Sequence, residues 1–329
     1  MVESSPTIPN PHGSSVDSSR IIRADYVNAA YTRLATAALE HWRTTNWGQH
    51  GRFFQSGLLL VYPEGDSAAQ SSVQTSYENV NDIAGDQIER LPTRDAVQKV
   101  APQYKISDRI GGGYVNWAAG WVDAEAGVRF AKHELDQMHN VIFRTAEVSR
   151  LLYEDQGDIQ GTKSHPHQPH TSGVVKGVVL SEGSLMKADL VILATGAWTP
   201  TLVDLRGKAE ASGQVLAFIN ITNKEQQELE HMPSILNLGT GMFVIPPRNN
   251  VLKIARHAYG YRNPQKVAVP EPLQQDSVED KVMEISIPES GIPIPLEGEE
   301  ACRTALGEML PAFANRPFAR TRVCWYTDT

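Results

Sequence analysis

Three helices are predicted from the sequence, the first of them from apolar positions that recur at helical spacing. From Asn28, residues at i, i+3 and i+4 predict a helix with one apolar face, formed by Tyr31, Leu34, Ala35, Ala38, Leu39 and Trp42. A second helix is predicted from Asp123 to about His139, because acidic residues stabilise a helix N-terminus. A third is predicted from Glu299 to about Leu310. Helices at these places, separated by strand-like runs, are typical of an α/β chain.

Short apolar runs bounded by turn residues predict the strands. They cover residues 53–62, 141–143, 174–180, 188–198, 214–222, 242–245, 251–255 and 318–326. The run at 188–198 contains Ala-Thr-Gly and is predicted to be a fully buried strand. The runs at 242–245 and 251–255 predict a hairpin with a five-residue turn. Gly111-Gly112-Gly113 does not follow a strand and open a helix, as a phosphate-binding glycine motif does, and is interpreted as a turn.

Composition narrows the class of protein. A chain of 329 residues can bury one large core or two domains, and 41% hydrophobic with 21% charged residues is ordinary for a globular protein. The net charge of −8 argues against binding to nucleic acid or to an anionic membrane surface. No apolar run reaches the ~20 residues that span a bilayer, and residues 1–10 contain no secretory apolar core. We expect a cytoplasmic or peroxisomal protein that is not secreted.

The numbers of cysteines and histidines do not indicate a disulfide-stabilised or metal-binding protein. Two cysteines, Cys302 and Cys324, do not form a disulfide framework, and Cys302 is interpreted as a small buried hydrophobe. The histidines His165, His167 and His170 lie in a polar loop between prolines. Because metal ligands need fixed geometry and supporting hydrogen bonds, we expect no metal site there.

Three short segments carry candidate chemistry. The side-chain period of a strand places Lys253 and His257 on one face, although a strand lysine more often extends to solvent. Arg20 and Arg23 form an R-I-I-R segment, and guanidinium groups bind carboxylates through paired hydrogen bonds, although such a pair is often simply solvated. Cys324 stands beside two aromatic residues near the end of the chain.

Together, R-I-I-R at 20–23, K-I-A-R-H at 253–257 and C-W-Y at 324–326 resemble one family. It is the amine-oxidising flavoproteins that include monomeric sarcosine oxidase, pipecolate and saccharopine oxidases, and the fructosyl amino acid oxidases or amadoriases. The resemblance implies FAD as cofactor, bonded through sulfur to Cys324. The cofactor-binding residues that it implies are Cys324, Arg20, Ser18, Ser19, Gly196, Ala197 and Trp198.

The resemblance also implies roles in the reaction. Lys253 would assist the reduction of O2, His257 would lie beside the substrate amine, and Arg23 would bind the substrate carboxylate. Arg20 would lie over the flavin, and Tyr326 would be an aromatic wall of the pocket. For Trp325, ordinary core packing is the preferred interpretation. The R-I-I-R segment favours amino-acid-like substrates such as sarcosine, pipecolate or saccharopine over fructosyl amino acids.

The implied fold is α/β, with an FAD-binding domain of the glutathione-reductase type and a mixed, mainly antiparallel substrate-cap domain. The family begins with a strand, a G-x-G-x-x-G turn and a helix, which this sequence lacks, so we expect the first βαβ unit to be missing. We also expect the chain to stop short of the family's C-terminal strands. Residues 1–50 and 120–205 are assigned to the FAD-binding domain, and 51–119 and 206–329 to the cap.

The implied activity is oxidation of the C–N bond of a secondary amine amino acid by O2, giving H2O2, by an enzyme that we expect to be a monomer. One alternative is a fructosyl amino acid oxidase. Another is a non-catalytic remnant or binding module, favoured by the missing glycine fingerprint.

Overall fold

A computed structural model describes residues 1–17, 19–154, 173–270 and 282–329. Its helices are α1 Ala29–Thr44, α2 Ser67–Ala84, α3 Arg94–Val100, α4 Ala124–Asp136, α5 Asn223–Leu229 and α6 Leu296–Met309. Its strands are β1 Val2–Glu3, β2 Arg20–Ile22, β3 Phe53–Phe54, β4 Leu58–Pro63, β5 Ile88–Leu91, β6 Ile110–Asn116, β7 Gly120–Val122, β8 Arg144–Thr145, β9 Val148–Tyr153, β10 Val175–Leu180, β11 Leu185–Lys187, β12 Glu210–Asn220, β13 Ser234–Asn237, β14 Met242–Arg248, β15 Val251–Arg256, β16 Pro264–Ala268, β17 Val282–Ser286 and β18 Arg320–Asp328.

The largest element is an eight-stranded sheet in the order β18-β12-β15-β14-β13-β4-β6-β5. Its pairs are antiparallel except for β13 with β4, which run parallel. The long strand β12 pairs with β18 along one edge and with β15 along the other. Because residues paired across a sheet point to the same face, this register decides which side chains of β12, β15 and β18 share a surface.

Each face of the sheet carries its own apolar core. On one face, α6 buries Cys302, Leu306 and Met309 against alternate residues of β12 and β15. On the other face, Leu216, Phe218 and Cys324 belong to a second core that includes residues of α1, α2 and β7. Residues 13–17 and 19–23, which include β2, lie over this second face, and β2 joins a small sheet in the order β2-β7-β3. Among the described residues, no helix is long and apolar enough to cross a bilayer.

The three predicted helices are confirmed, with shifted ends. Asn28 caps α1, and its side chain accepts hydrogen bonds from the amides of Ala30 and Tyr31. Only part of the predicted apolar face of α1 is buried: Leu39 is buried, whereas Tyr31 is 60% and Leu34 is 70% exposed. Asp123 caps α4, which ends at Asp136, and α6 begins at Leu296, ahead of the predicted start.

The predicted hairpin is confirmed as β14 and β15, but its turn is shorter than predicted. Asn249 and Asn250 have φ of 53° and 59°, the left-handed pair that a two-residue hairpin turn requires. The prolines that precede them are part of β14, beside a break in register between Ile245 and Arg248. Proline lacks a donor for the strand ladder, so it is tolerated at such an irregular position.

The interpretation of Gly111-Gly112-Gly113 as a turn is wrong, because these residues lie within β6. At Gly113 a Cβ would lie closer than 3.0 Å to the carbonyl oxygen of Leu60 on β4. The glycines therefore allow two strand backbones to approach each other closely, a reason that depends on a partner far away in sequence.

Two predicted strands are absent. Residues 188–195 form no strand, and Leu190 and Ile192 are 75% and 81% exposed, so the prediction of a fully buried strand is wrong. Residues 141–143 are also irregular. A buried strand needs hydrogen-bonding neighbours on both sides, and no described strand pairs with residues 188–195.

Candidate functional site

The site lies on the sheet face that carries Cys324. Cys324 on β18 pairs with Gln214 on β12, and Phe218 on β12 pairs with Lys253 on β15. Since side chains alternate along a strand, Cys324, Tyr326 and Lys253 point to the same face. The segment that carries Arg20 covers this face. The register thus brings together residues from both ends of the chain.

At the centre of this face is a buried charged cluster of Asp17, Arg20 and Lys253. The Lys253 ammonium donates to Asp17 Oδ2 at 2.5 Å and to the carbonyl oxygen of Ser19 at 2.7 Å. Arg20 Nη1 donates to the same Asp17 oxygen at 2.9 Å. The side chains of Lys253 and Asp17 are 3% and 1% exposed. Asp17 was not selected from the sequence, where it looks like one more polar residue of an N-terminal loop.

Burial determines the electrostatics of this cluster. Burial lowers the pKa of Lys253 to about 8, the charge of Asp17 opposes this shift, and the charge of Arg20 reinforces it. Burial would also lower the pKa of Arg20, but the charge of Asp17 opposes it and the net pKa of Arg20 is raised. The cluster therefore holds two cations and one anion away from water.

Cys324 is fully buried and adjoins this cluster. Arg20 Nη2 lies 3.3 Å from its sulfur. Cys302, in the core of the opposite face, is also fully buried, and burial raises the pKa of its thiol to about 12. The Cys324 thiol is thus in direct contact with a guanidinium.

A second group of predicted residues lies at the rim of this face. The rings of His257 and Tyr326 are 5.8 Å apart between centroids. Partial desolvation and then the charge of Arg23 lower the pKa of His257. Burial raises the pKa of Tyr326. The guanidinium of Arg23 stacks over Tyr26 at 4.3 Å. His257, Tyr326 and Arg23 therefore form a neighbouring trio with one fixed cation.

Two cavities open on the same face. The larger, of about 1250 Å³, is lined by His257, Ser212 and Asp328. The smaller, of about 440 Å³, is lined by Asp17 and Phe218. Ser212 and Phe218 lie near opposite ends of β12. A small molecule can therefore reach His257 from the larger cavity, on the side away from Asp17.

A buried carboxylate that the sequence did not indicate lies just after Arg23. Asp25 is 0% exposed, and it accepts hydrogen bonds from Tyr114 Oη at 2.8 Å and from Asn116 Nδ2 at 3.0 Å. Burial is the main cause that raises the pKa of Asp25, and the charge of Arg23 opposes it. Asp25 thus anchors the turn that follows Arg23 onto β6.

The remaining predicted residues are placed less centrally. Gly196, Ala197 and Trp198 begin a 3₁₀ helix, and Ala197 and Trp198 pack with Trp325 at the β12–β18 edge. Trp325 donates its indole N–H to the carbonyl oxygen of Glu289 at 2.8 Å, as expected for core packing. Ser19 contributes its carbonyl to Lys253. Ser18 lies outside the described residues.

In the described part of the chain, no group of three or more His, Cys, Asp or Glu side chains could hold a metal ion. His165, His167 and His170 fall outside it.

The donor set suits a flavin ring. Such a ring gains negative charge when it is reduced, so it is stabilised by fixed cations in a site from which water is excluded. Arg20 and Lys253 are two such cations, and they lie beside the Cys324 thiol. Arg20, Lys253, Cys324 and Tyr326 would surround the ring, and Arg23 and His257 would face its substrate.

Comparisons with known proteins agree with this chemistry. The chain is similar to amino acid oxidase imqH of Aspergillus flavus, at 27% identity over 99% of this chain and 75% of that protein. It is similar to L-saccharopine oxidase of Schizosaccharomyces pombe, at 22% identity over 98% of this chain and 72% of that protein. A modified fructosyl peptide oxidase from Aspergillus nidulans superposes with a TM-score of 0.81 at 21% identity, covering 98% of this chain and 72% of that one.

The structural match confirms the predicted mixed α/β fold with a large, mainly antiparallel sheet. The family model described as FAD dependent oxidoreductase matches residues 2–328. The chain therefore belongs to the DAO family of FAD dependent oxidoreductases, and its cofactor is FAD.

Proposed function

We propose that this protein oxidises the C–N bond of an amino acid carrying a secondary amine, with O2 as the electron acceptor and H2O2 as a product. The observation that carries the proposal is the buried cluster in which Arg20 contacts the sulfur of Cys324 and Asp17 joins Arg20 to Lys253. The similarity to an amino acid oxidase and to a saccharopine oxidase supports the same reaction class.

FAD, when bound, supplies the acceptor for two electrons from the substrate and passes them to O2. Lys253 and Arg20 would hold positive charge beside the ring, which would stabilise the negative charge that develops in both half-reactions. Because both side chains are largely shielded from solvent, water screens this charge less than at a surface. Lys253 would assist oxygen reduction, and Arg20 would tune the flavin.

Arg23 and His257 orient the substrate. The guanidinium of Arg23 is held against Tyr26, and it would bind the substrate carboxylate through paired hydrogen bonds. The lowered pKa of His257 leaves its ring neutral at pH 7, so one ring nitrogen can accept a proton or hydrogen bond from the substrate amine. Tyr326 would form the aromatic wall beside them.

Cys324 would attach the flavin through its sulfur. The Arg20 guanidinium, 3.3 Å from this sulfur, places a fixed positive charge beside the atom that would form the bond. Gly196, Ala197 and Trp198, with Ser18 and Ser19, would contact other parts of the cofactor.

We also propose the division into an FAD-binding part, residues 1–50 and 120–205, and a cap, residues 51–119 and 206–329. All eight strands of the large sheet come from the second set, which supports it. The pairing of β2 with β7 joins two strands of the first set, while β3 of the second set pairs with the other edge of β7.

The test compares the wild-type protein with Cys324→Ser and a matched control, Cys302→Ala. Visible flavin absorbance is measured before and after acid precipitation, and peroxide release is followed with sarcosine, pipecolate, saccharopine and fructosyl-lysine. We expect wild type and Cys302→Ala to retain colour in the pellet, and Cys324→Ser to lose it to the supernatant. A colourless wild-type protein would contradict the proposal and favour a non-catalytic remnant.

The second candidate is oxidation of fructosyl amino acids. The superposition on a fructosyl peptide oxidase supports it at the level of the fold. Peroxide release with fructosyl-lysine but with none of the three amino acids would select it.

A further inference from the structure

Asp17 joins the two cations of the site through a single oxygen atom. Its Oδ2 accepts from Lys253 Nζ at 2.5 Å and from Arg20 Nη1 at 2.9 Å. Lys253 is also held by the carbonyl of Ser19, two residues further along the same segment. One carboxylate therefore sets the spacing between a strand lysine and an arginine that lies 233 positions away in the sequence, from 20 to 253.

The surroundings of Lys253 make this carboxylate important. The N-terminal segment places Asp17 and Arg20 against the ammonium, and β18 contributes Cys324. The neighbouring strands β12 and β14 present apolar rings, with Phe243 at 5.6 Å and Phe218 paired opposite in the sheet. A buried ammonium is unfavourable without a partner, and a second cation next to it adds repulsion. Asp17 is the carboxylate in direct contact that offsets both effects.

We propose that Asp17 is a positioning residue of the flavin site, which holds Lys253 and Arg20 at a fixed spacing and keeps Lys253 in its charged form. For the reaction with O2 this inference rests on the proposed function, but the charge of Lys253 can be measured without catalysis. With Asp17 present, the three groups carry a net charge of about +1, from two cations and one anion. Without it, the lysine is left beside a like charge in an apolar pocket and loses its proton.

The expected effect of removing the Asp17 charge follows from the pKa of Lys253. Lys253, with a pKa of about 8, is mostly protonated at pH 7. Removing an opposite charge in direct contact shifts a pKa by ~1–3 units, downward for a lysine. A fall of ~2 units would reduce the protonated fraction at pH 7 roughly tenfold.

The first measurement is the titration of Lys253 in the flavin-bound full chain by NMR of isotopically labelled lysine, with the signal assigned from Lys253→Arg. The variants are Asp17→Asn, which keeps the side-chain shape, and the matched control Glu125→Gln, which alters another carboxylate lining the same 440 Å³ cavity. We expect the midpoint to fall by at least one pH unit in Asp17→Asn and to stay in place in Glu125→Gln. Equal midpoints in wild type and Asp17→Asn would overturn the inference.

The second measurement is the rate of flavin reoxidation by O2 against pH. We expect the alkaline loss of rate to move to lower pH in Asp17→Asn, and Asp17→Glu to restore part of the wild-type profile. A changed titration in a protein without oxidase activity would refute the proposed function while supporting the role of Asp17. An Asp17→Asn profile identical to that of wild type would count against that role.

If Asp17→Asn does not fold, the double variant Asp17→Asn/Lys253→Met distinguishes the explanations. Recovery of folded protein would show that the unpaired lysine caused the defect, as the inference requires. The inference would be overturned if Asp17→Asn and the double variant both fail to fold while Lys253→Met alone folds. Folding would then require the Asp17 carboxylate for a reason other than the charge of Lys253.

Discussion

The buried carboxylate of Asp25 makes a prediction that links stability, pH and the site. In Asp25→Asn, an amide N–H₂ replaces one carboxylate oxygen; at the Oδ1 position it faces the donors Tyr114 Oη and Asn116 Nδ2, at 2.8 and 3.0 Å, and at the Oδ2 position it faces Asn116 Nδ2 at 3.0 Å. In either orientation at least one buried donor faces another donor in place of an acceptor, which costs ~1–3 kcal/mol. With ~2.1 cal/mol/K of unfolding entropy per residue over 329 residues, a loss of ~2 kcal/mol lowers Tm by ~3 °C.

The effect of Asp25→Asn depends on pH, with a sign that can be derived. The pKa of Asp25 is raised in the folded protein above its ordinary value of 3.8, chiefly by burial. Between the unfolded and folded pKa values the folded state binds more protons, so stability falls as pH rises. The wild-type advantage over Asp25→Asn is therefore complete below the unfolded pKa and is reduced as pH rises through the folded pKa.

The assay is thermal unfolding of wild type, Asp25→Asn and the exposed control Asp108→Asn from pH 4 to pH 8. We expect a destabilisation in Asp25→Asn that shrinks with rising pH, and Asp108→Asn within ~0.5 kcal/mol of wild type throughout. Because Asp25 anchors the turn after Arg23, KM for a carboxylate substrate should rise more than kcat falls. A destabilisation that grows with pH, or none at all, would refute the reasoning.

Two further predictions concern the framework of the fold. Gly113→Ala places a methyl group against the carbonyl oxygen of Leu60, whereas Gly307→Ala in α6 meets open space. Urea unfolding should show a loss above ~4 kcal/mol for Gly113→Ala, if it folds at all, and a gain of ~0.5–1 kcal/mol for Gly307→Ala; similar values for both would disprove the steric argument. The hydrogen bond from Arg316 lowers the pKa of Glu225 to about 2, so Glu225 contributes stability above its unfolded value of 4.5 that is lost as pH falls toward 2. Melting curves should therefore show a Tm difference between wild type and Glu225→Gln at pH 7 that becomes smaller at pH 3. A Tm difference that does not change with pH would show that the Glu225–Arg316 pair is not its cause.

Local patterns were enough for the elements whose determinants are close in sequence. Asn28 and Asp123 cap the predicted helices, because capping involves a side chain and amides only a few residues away. The alternation of the strand predicted that Lys253 and His257 lie on one face, and the register of β15 and the proximity of His257 to Tyr326 agree. The same reasoning failed for the glycines of β6 and for residues 188–195, where a distant partner strand determines whether a strand forms.

Some residues of the candidate site could be selected from the sequence, and others only from the structure. Residue type and motif selected Arg20, Lys253, His257 and Cys324, and the fold brings Arg20 within 3.3 Å of the Cys324 sulfur across 304 positions of sequence. Asp17 and Asp25 could not be selected, because a carboxylate in a loop looks the same whether it is solvated or buried between charged and polar partners. Periodicity and short motifs in the sequence determined the helices, the hairpin and the residue types of the site. Only the tertiary structure decided which strands pair and which charged side chains are buried, because both depend on contacts between residues hundreds of positions apart.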